Sequence, residues 1–134
     1  MSGFEIIGGK SLSGTITPQG AKNEALQVIS ACLLSSQKIE IKNVPEITDV
    51  LNLIKLLKVI GVKINRKNKN HFIFQAKKID TNYYKNEKFI KLSSKIRGSI
   101  MIMGPLVSRF GRSYVITPGG DKIGRRPLDT HFLA

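Results

Sequence analysis

Apolar residues spaced three and four apart predict a first helix at residues 21–34. Leu26, Ile29 and Leu33 fall on one face of this segment, which is the spacing of a helix packed against a core. Further apolar residues widen that face: Ala25, Val28 and Cys32. The breadth of the stripe predicts a helix that is buried over most of its surface.

The same spacing predicts two further helices. The second has Thr48 as its N-cap and stops at Gly61, because threonine hydroxyls cap helix starts and glycine favours helix ends. The third runs over residues 95–109. Gly104–Pro105 should kink or interrupt it, since proline removes a helical hydrogen bond.

Alternating or β-branched apolar runs predict short strands between the helices. Ile39 and Ile41 alternate with charged residues, which is typical of a half-exposed strand. The predicted strands cover residues 4–8, 12–17, 38–44, 62–64, 71–75, 88–92 and 114–116, with 62–64 and 71–75 forming a hairpin. Leu33, Ser35 and Pro45 recur at a constant offset as Leu106, Ser108 and Pro118. This match suggests a repeated supersecondary unit and an α+β fold.

Composition indicates one globular domain with an anionic partner. The chain has 134 residues and a net charge of +13, which favours nucleic acid, an acidic membrane surface or phosphorylated small molecules. No apolar run is long enough to span a membrane, and neither histidine has metal-ligand spacing. The lone Cys32 lies in an apolar run and is predicted to be buried, which fits a reducing cytoplasm.

Two segments carry candidate chemistry. Gly20-Ala21-Lys22-Asn23 forms the first turn of the first helix, where free N–H groups and the helix dipole favour an anion. The second segment, residues 117–131, begins with the flexible turn Pro118-Gly119-Gly120 and continues through Asp121 to Arg125 and Arg126. Arginines beside a carboxylate on a glycine-hinged loop suit an anionic substrate and a closing lid, although a solvated basic loop is the simpler alternative.

Over essentially all 134 residues the chain resembles the N-terminal part of the UDP-N-acetylglucosamine 1-carboxyvinyltransferase family. The motifs that carry this resemblance are Gly20-Ala21-Lys22-Asn23, Arg97, Gly104-Pro105-Leu106, Arg109-Phe110-Gly111 and Pro118 to His131. The resemblance implies an α+β fold of repeated β-α-β-α-β-β units, an inside-out α/β barrel that is incomplete in this chain. Residues 1–134 would then be the N-terminal part, and the second domain and the remaining repeat units would be absent.

The resemblance also implies an activity. The family transfers the enolpyruvyl group of phosphoenolpyruvate to the 3-hydroxyl of UDP-N-acetylglucosamine and releases phosphate, without a metal or cofactor. This is the first committed step of cytoplasmic peptidoglycan synthesis, which serves cell wall biogenesis, cell shape and cell division. The expected partners are these two substrates and the C-terminal half of the protein's own chain, with no nucleic acid and no membrane.

The family's functional residues map onto matching positions here. Lys22 matches the catalytic lysine that binds phosphoenolpyruvate, Asn23 a neighbouring substrate contact, and Arg97 the arginine that contacts the UDP-sugar. The resemblance further implies a phosphate-gripping residue and a uridine-lining segment: Arg126, Pro127, Leu128, Asp129 and Thr130. Arg125 departs from the family pattern, and no role is assigned to it.

Asp121 is the most informative departure from the family pattern. The usual residue at this position is cysteine, the proton donor to the methylene carbon of phosphoenolpyruvate and the site alkylated by fosfomycin; some members have aspartate. As an acid, Asp121 must be protonated in the site, and bound phosphate and carboxylate would raise its pKa by like-charge repulsion. The resemblance therefore implies Asp121 as the proton donor and resistance to fosfomycin.

Three alternatives stay open at this stage. The shikimate-using enolpyruvyl transferase (3-phosphoshikimate 1-carboxyvinyltransferase) shares the fold, but the segment from Pro118 to Thr130 favours the UDP-sugar enzyme. A basic nucleic-acid-binding module would explain the charge, but the lysines are scattered and no nucleic-acid motif is present. The third alternative is an inactive remnant, and the 134 residues alone are expected to be inactive.

Overall fold

A computed structural model describes residues 3–120, 124, 127 and 129–133. Within these residues the α-helices are α1 (Lys22–Ala31), α2 (Thr48–Val59), α3 (Glu87–Ser93), α4 (Met103–Phe110) and α5 (Asp129–Leu133). The strands are β1 (Lys38–Ile41), β2 (Lys63–Asn68) and β3 (His71–Gln75), and 3₁₀ helices cover Cys32–Leu34, Tyr83–Lys85 and Arg97–Ile102. This mixture confirms the predicted α+β class.

The three strands form one antiparallel sheet with β3 in the centre. Phe74 of β3 lies opposite Ile39 of β1 and Ile64 of β2, so apolar side chains meet across the sheet on one face. The side chain of Phe74 is completely buried. The predicted hairpin is confirmed, although β2 extends to Asn68 and takes in most of the residues assigned to the turn.

The helices α1 and α2 pack against each other and against the Arg97–Ile102 3₁₀ helix, and α2 also packs against α3 and β2. Ile29 and Leu33 are completely buried, and Lys55 and Lys58 of α2 face solvent, as predicted. Val28 is 43% exposed, so the prediction of a helix buried over most of its surface was wrong at this position. Thr48 is the first helical residue rather than the N-cap, which is Ile47 without a side-chain cap.

Residues 3–20 do not form the two predicted strands. Phe4, Ile6 and Leu12 are each at least 90% exposed, and the segment pairs with no strand among the described residues. Alternating apolar residues give a segment the tendency to form a strand, but the ladder needs the backbone of a neighbour. No such neighbour is provided by residues 22–120.

The predicted strand at residues 88–92 is a helix. The Asn86 side chain accepts hydrogen bonds from the backbone N–H groups of Lys88 (3.0 Å) and Phe89 (3.2 Å). An asparagine N-cap satisfies N–H groups that a helix leaves free at its start. This local capping, together with burial of Phe89, stabilises helix α3 over the predicted strand.

The predicted helix at residues 95–109 divides into two pieces. The Arg97–Ile102 3₁₀ helix changes into α4 at Met103, which confirms an interruption close to Gly104–Pro105. The prolyl ring lies in the first turn of α4, where its missing N–H has no helical partner to lose. The segment 114–116, predicted as a strand, is irregular, so the strand of the second proposed repeat is not seen in the described residues.

Arg109 of α4 fixes three parts of the fold to one another. Its Nη1 donates to the backbone carbonyl oxygens of Leu33 (2.8 Å), Ser35 (3.1 Å) and Ala76 (2.7 Å). Hydrogen bonds from a charged donor are stronger than neutral ones. Arg109 thereby connects α4 to the end of the first helical segment and to the residue after β3.

Candidate active site

Lys22 and Asn23 open α1, as the sequence predicted. Ala21 is the N-cap in extended conformation and offers no side-chain cap, so the free N–H groups of this turn remain available to a ligand. The turn is held by the contact of Gly20 with the backbone of the β1–α2 connection. A Cβ on Gly20 would lie 2.1 Å from the carbonyl oxygen of Asn43, so only glycine fits.

The Lys22 ammonium is paired with a carboxylate at the start of the next helix. Its Nζ lies 3.1 Å from Oδ2 of Asp49, in the first turn of α2. The two side chains are 45% and 41% exposed, so the pair is well solvated and contributes little to stability. An anionic ligand would therefore replace Asp49 as the partner of Lys22 at a small cost in free energy.

Arg97 lies beside the start of α1. It is the first residue of a 3₁₀ helix, and the following residue, Gly98, packs against Leu26, one turn after Lys22. A Cβ on Gly98 would stand 3.2 Å from Cδ1 of Leu26, which is a tight contact in a packed interior. Gly98 therefore packs closely on the helix that carries Lys22 and Asn23.

Gly119 and Gly120 bring the second candidate segment to the same place. A Cβ on Gly119 would lie 1.7 Å from the carbonyl oxygen of Ser94, and one on Gly120 would lie 3.2 Å from the Cβ of Arg97. The N–H of Gly119 donates to the carbonyl of Ser93 at 3.4 Å. The sequence suggested hinges here, but the structure gives these glycines a packing role.

The remaining candidate residues are placed only in part. Pro127, Asp129 and Thr130 are exposed, and the last two open α5. Asp121, Arg126 and Leu128 lie outside the described residues, as does Arg125. The structure therefore places Gly120 against Arg97, and Gly98 against the helix that opens with Lys22 and Asn23.

Three further findings on the described residues concern metal sites, membrane-spanning helices and the thiol of Cys32. No group of three or more potential metal-ligating side chains is found among them, and none of their helices is long and apolar enough to cross a membrane. Cys32 is buried as predicted, and burial raises the pKa of its thiol to about 11. This thiol is therefore protonated and unreactive at neutral pH.

Sequence reasoning missed two contributors to the site. Asp49 was not singled out as the partner of Lys22, although an acidic residue in the first turn of a helix was a usable signal. The packing of Gly119 on Ser94 could not be anticipated, because the sequence does not reveal which backbone segments meet.

Comparison with known proteins gives a consistent family relationship. The sequence profile of the family described as EPSP synthase (3-phosphoshikimate 1-carboxyvinyltransferase) matches residues 6–134. Curated proteins named UDP-N-acetylglucosamine 1-carboxyvinyltransferase from Porphyromonas gingivalis and Bacteroides thetaiotaomicron are 51% and 49% identical over 133 residues. In both cases the alignment covers 99% of this chain and 31% of the relative, so the chain spans about a third of the length of these relatives.

A solved structure has a similar fold. The enolpyruvyl transferase NikO from Streptomyces tendae superposes with a TM-score of 0.58 at 24% identity, over 78% of this chain and 23% of that one. This likeness concerns the fold alone. It confirms the fold class inferred from the sequence.

Proposed function

The chain belongs to the EPSP synthase (3-phosphoshikimate 1-carboxyvinyltransferase) family, and on that premise we propose that the full-length protein is a UDP-N-acetylglucosamine 1-carboxyvinyltransferase. It transfers the enolpyruvyl group of phosphoenolpyruvate to the 3-hydroxyl of the UDP-sugar and releases phosphate. This assigns the protein to cytoplasmic peptidoglycan synthesis, and thereby to cell wall biogenesis, cell shape and cell division. Residues 1–134 are proposed as the N-terminal part, which acts with the rest of the chain.

The observation that carries the proposal is the packing of three elements that bear candidate residues. The start of α1 presents Lys22 and Asn23, the Arg97–Ile102 3₁₀ helix packs beside it, and Gly120 lies against Arg97. Two cations and a free helix start suit a substrate with a phosphate and a carboxylate. Identities of about 50% to proteins named for this activity support the choice of the UDP-sugar.

The proposed residues divide the reaction between binding and proton transfer. Lys22 pairs with the anionic groups of phosphoenolpyruvate in place of Asp49, and Arg97 and Arg126 bind the UDP-sugar and the phosphate. Asp121 donates a proton to the methylene carbon, and the oxygen of the sugar 3-hydroxyl bonds to the adjacent carbon while the hydroxyl proton is lost to solvent. The bond from this carbon to the phosphate oxygen then breaks, and the methyl group returns a proton to the Asp121 carboxylate, which restores the double bond.

The test of this function is product formation by the full-length protein. We expect phosphate release from phosphoenolpyruvate with UDP-N-acetylglucosamine and none with shikimate 3-phosphate, which is the substrate of the alternative family member. Lys22→Ala should reduce kcat/KM by at least about a hundredfold, because a charged contact to the reacting phosphate is lost. Turnover with shikimate 3-phosphate alone would refute the proposal in favour of the alternative.

A binding assay distinguishes this enzyme from a basic nucleic-acid-binding module. Only the module should bind oligonucleotides with an affinity that falls steeply as salt rises. We expect the full-length protein to bind UDP-N-acetylglucosamine, and any oligonucleotide binding to be weak. Tight oligonucleotide binding without UDP-sugar binding would contradict the enzyme assignment.

The role of Asp121 predicts resistance to fosfomycin. A carboxylate is a poorer nucleophile towards the epoxide than a thiolate, so the full-length protein should remain active after incubation with the drug and Asp121→Cys should be inactivated. Cys32 provides an internal control, since its buried thiol has a pKa of about 11 and should not react in either protein. Equal inactivation of the two proteins would show that the aspartate confers no resistance.

A further inference from the structure

The segment that leads into residue 121 has no strand partner among the described residues, yet it is fixed at a defined point. Residues 112–120 are irregular, and a backbone without a ladder needs other hydrogen-bonding partners. At Tyr114 that partner is a side chain, the hydroxyl of Tyr83. Tyr83 lies in the 3₁₀ helix that precedes α3.

The Tyr83 hydroxyl uses its full hydrogen-bonding capacity on this segment. It accepts from the N–H of Tyr114 at 2.7 Å and donates to the carbonyl of Tyr114 at 3.0 Å. Its remaining acceptor position faces the hydroxyl of Ser113 at 3.0 Å. One donor and two acceptors are all that a phenol offers, so the hydroxyl replaces the two backbone bonds that a neighbouring strand would make with Tyr114.

The Tyr83 ring is held firmly enough to act as such an anchor. Its side chain is 2% exposed and packs on Phe89 of α3, with ring centroids 4.6 Å apart. Tyr84 also contacts the segment, with its ring 3.9 Å from that of Tyr114. No hydrogen bond to the Tyr84 hydroxyl is found among the described residues, so the two tyrosines differ in the bonds of their hydroxyl groups.

We propose that Tyr83 is a positioning residue for the reaction: through the backbone of Tyr114 it sets the path of the chain from α4 to Gly119–Gly120, the segment that directly precedes residue 121 in the sequence. Tyr83 does not touch substrate in this role. The inference depends on the proposed function, because residue 121 matters to catalysis only if it is the proton donor. It extends that function by naming a residue outside the family motifs.

Tyr83→Phe in the full-length protein tests the proposal, with Tyr84→Phe as the matched control. Both variants lose one hydroxyl and keep an aromatic ring, but only Tyr83→Phe removes the bonds to Tyr114. We expect kcat to fall about tenfold in Tyr83→Phe, since small misplacement of a reacting group is costly. The KM values for both substrates should change less than kcat, because Lys22 and Arg97 lie on other elements and, of the proposed arginines that bind the substrates, only Arg126 follows the anchored segment. Tyr84→Phe should leave kcat unchanged.

Hydrogen exchange provides a readout that does not depend on activity. In Tyr83→Phe we expect faster amide exchange confined to residues 112–120, and in Tyr84→Phe the exchange of wild type. Ser113→Ala removes one of the three contacts and should give an intermediate increase. Unchanged exchange in Tyr83→Phe, or equal changes in both tyrosine variants, would overturn the anchoring role. Inactivity of the wild type with both substrate pairs would refute the proposed function, and the exchange data would still decide whether Tyr83 anchors the segment.

Discussion

Two glycine-containing turns lead into the candidate site, and they are fixed in different ways. Gly20 abuts the carbonyl of Asn43 and is followed at once by α1, whereas Gly119 abuts the carbonyl of Ser94 and lies in the irregular segment 112–120. The position of Lys22 is therefore determined by a helix packed in the core. The path into residue 121 depends instead on a few contacts of a single chain segment. Substitutions in the first turn, at Gly20, should therefore mainly change stability, and substitutions in the second turn, at Gly119–Gly120, should mainly change activity.

Gly119→Ala is expected to have the largest effect on catalysis. The new Cβ would need a place 1.7 Å from the carbonyl oxygen of Ser94, so the segment must move away from the C-terminal end of α3. We expect kcat in the full-length protein to fall about a hundredfold or more, as for other misplaced reacting groups. The midpoint of thermal unfolding should change little.

Gly104→Ala serves as the control for the glycine substitution. No atom lies within 4 Å of a Cβ at Gly104, which is in the first turn of α4. Alanine is a better helix former than glycine by roughly 0.5–1 kcal/mol, but a Cβ directly before Pro105 meets the proline ring in the helical conformation. These effects oppose each other, so this variant should be as active as wild type and about as stable. Equal activities of the Gly119→Ala and Gly104→Ala proteins would show that the close approach is not required.

Gly20→Ala is expected to affect stability more than activity, which is the opposite of the effect expected for Gly119→Ala. Its Cβ would lie 2.1 Å from the Asn43 carbonyl oxygen and 3.2 Å from Cδ of Pro45, so the β1–α2 connection must shift. We expect a loss of about 2–3 kcal/mol in the free energy of unfolding, which is the range for disruptive backbone substitutions. Thermal or urea unfolding of the full-length protein measures it. A variant as stable as wild type would contradict the assignment of this turn to the core.

The sequence predicts these two turns unequally well, for a physical reason. The helix that follows Gly20 is recognisable from Leu26, Ile29 and Leu33, because helical periodicity is a local signal. The irregular path of residues 112–120 depends on Tyr83, some 30 residues earlier in the chain, and nothing near Tyr114 encodes that partner. The β-branched neighbours of Tyr114 favour a strand, but the hydrogen bonds to Tyr83 prevail over that local preference.

Residues 3–20 illustrate the same limit. Their apolar pattern is typical of strands, but strand formation depends on a neighbouring strand that residues 22–120 do not supply. Helix α3 shows the opposite error, since one cap at Asn86 outweighed the apparent strand signal of residues 88–92. Of the candidate site, the sequence predicts Lys22, Asn23 and Arg97, and their roles stay predictions. It did not identify the contacts that position them.

Ser99→Ala should destabilise the turn at Gly119–Gly120, with a smaller loss in the free energy of unfolding than Gly20→Ala causes at the first turn. The Ser99 hydroxyl lies 3.2 Å from the Ser93 carbonyl, which also accepts from Gly119, and 2.9 Å from the carbonyl of Ile96. Its loss should lower the free energy of unfolding by about 1 kcal/mol, the typical contribution of a buried hydrogen bond. Chemical unfolding of the full-length protein provides the measurement.

Ser93→Ala is the matched comparison for Ser99→Ala. The buried Ser93 Oγ has no hydrogen-bond partner among the described residues, so removing it should be neutral or slightly stabilising, since an unsatisfied polar group is costly to bury. If the two serine variants were destabilised equally, the hydrogen bonds of Ser99 would not be what supports the turn.

Asp49→Asn should have the smallest effect and should act on the first turn alone. It removes the partner of Lys22 at a solvated site, so the free energy of unfolding should change by less than about 1 kcal/mol. Because Lys22 no longer has to leave a carboxylate before it binds an anion, the KM for phosphoenolpyruvate should fall about two- to threefold, while kcat stays within twofold. Initial-rate kinetics of the full-length protein measure both constants. A higher KM would mean instead that Asp49 orients Lys22 for binding, and the first turn would then also depend on a side-chain contact, as the second does on Tyr83.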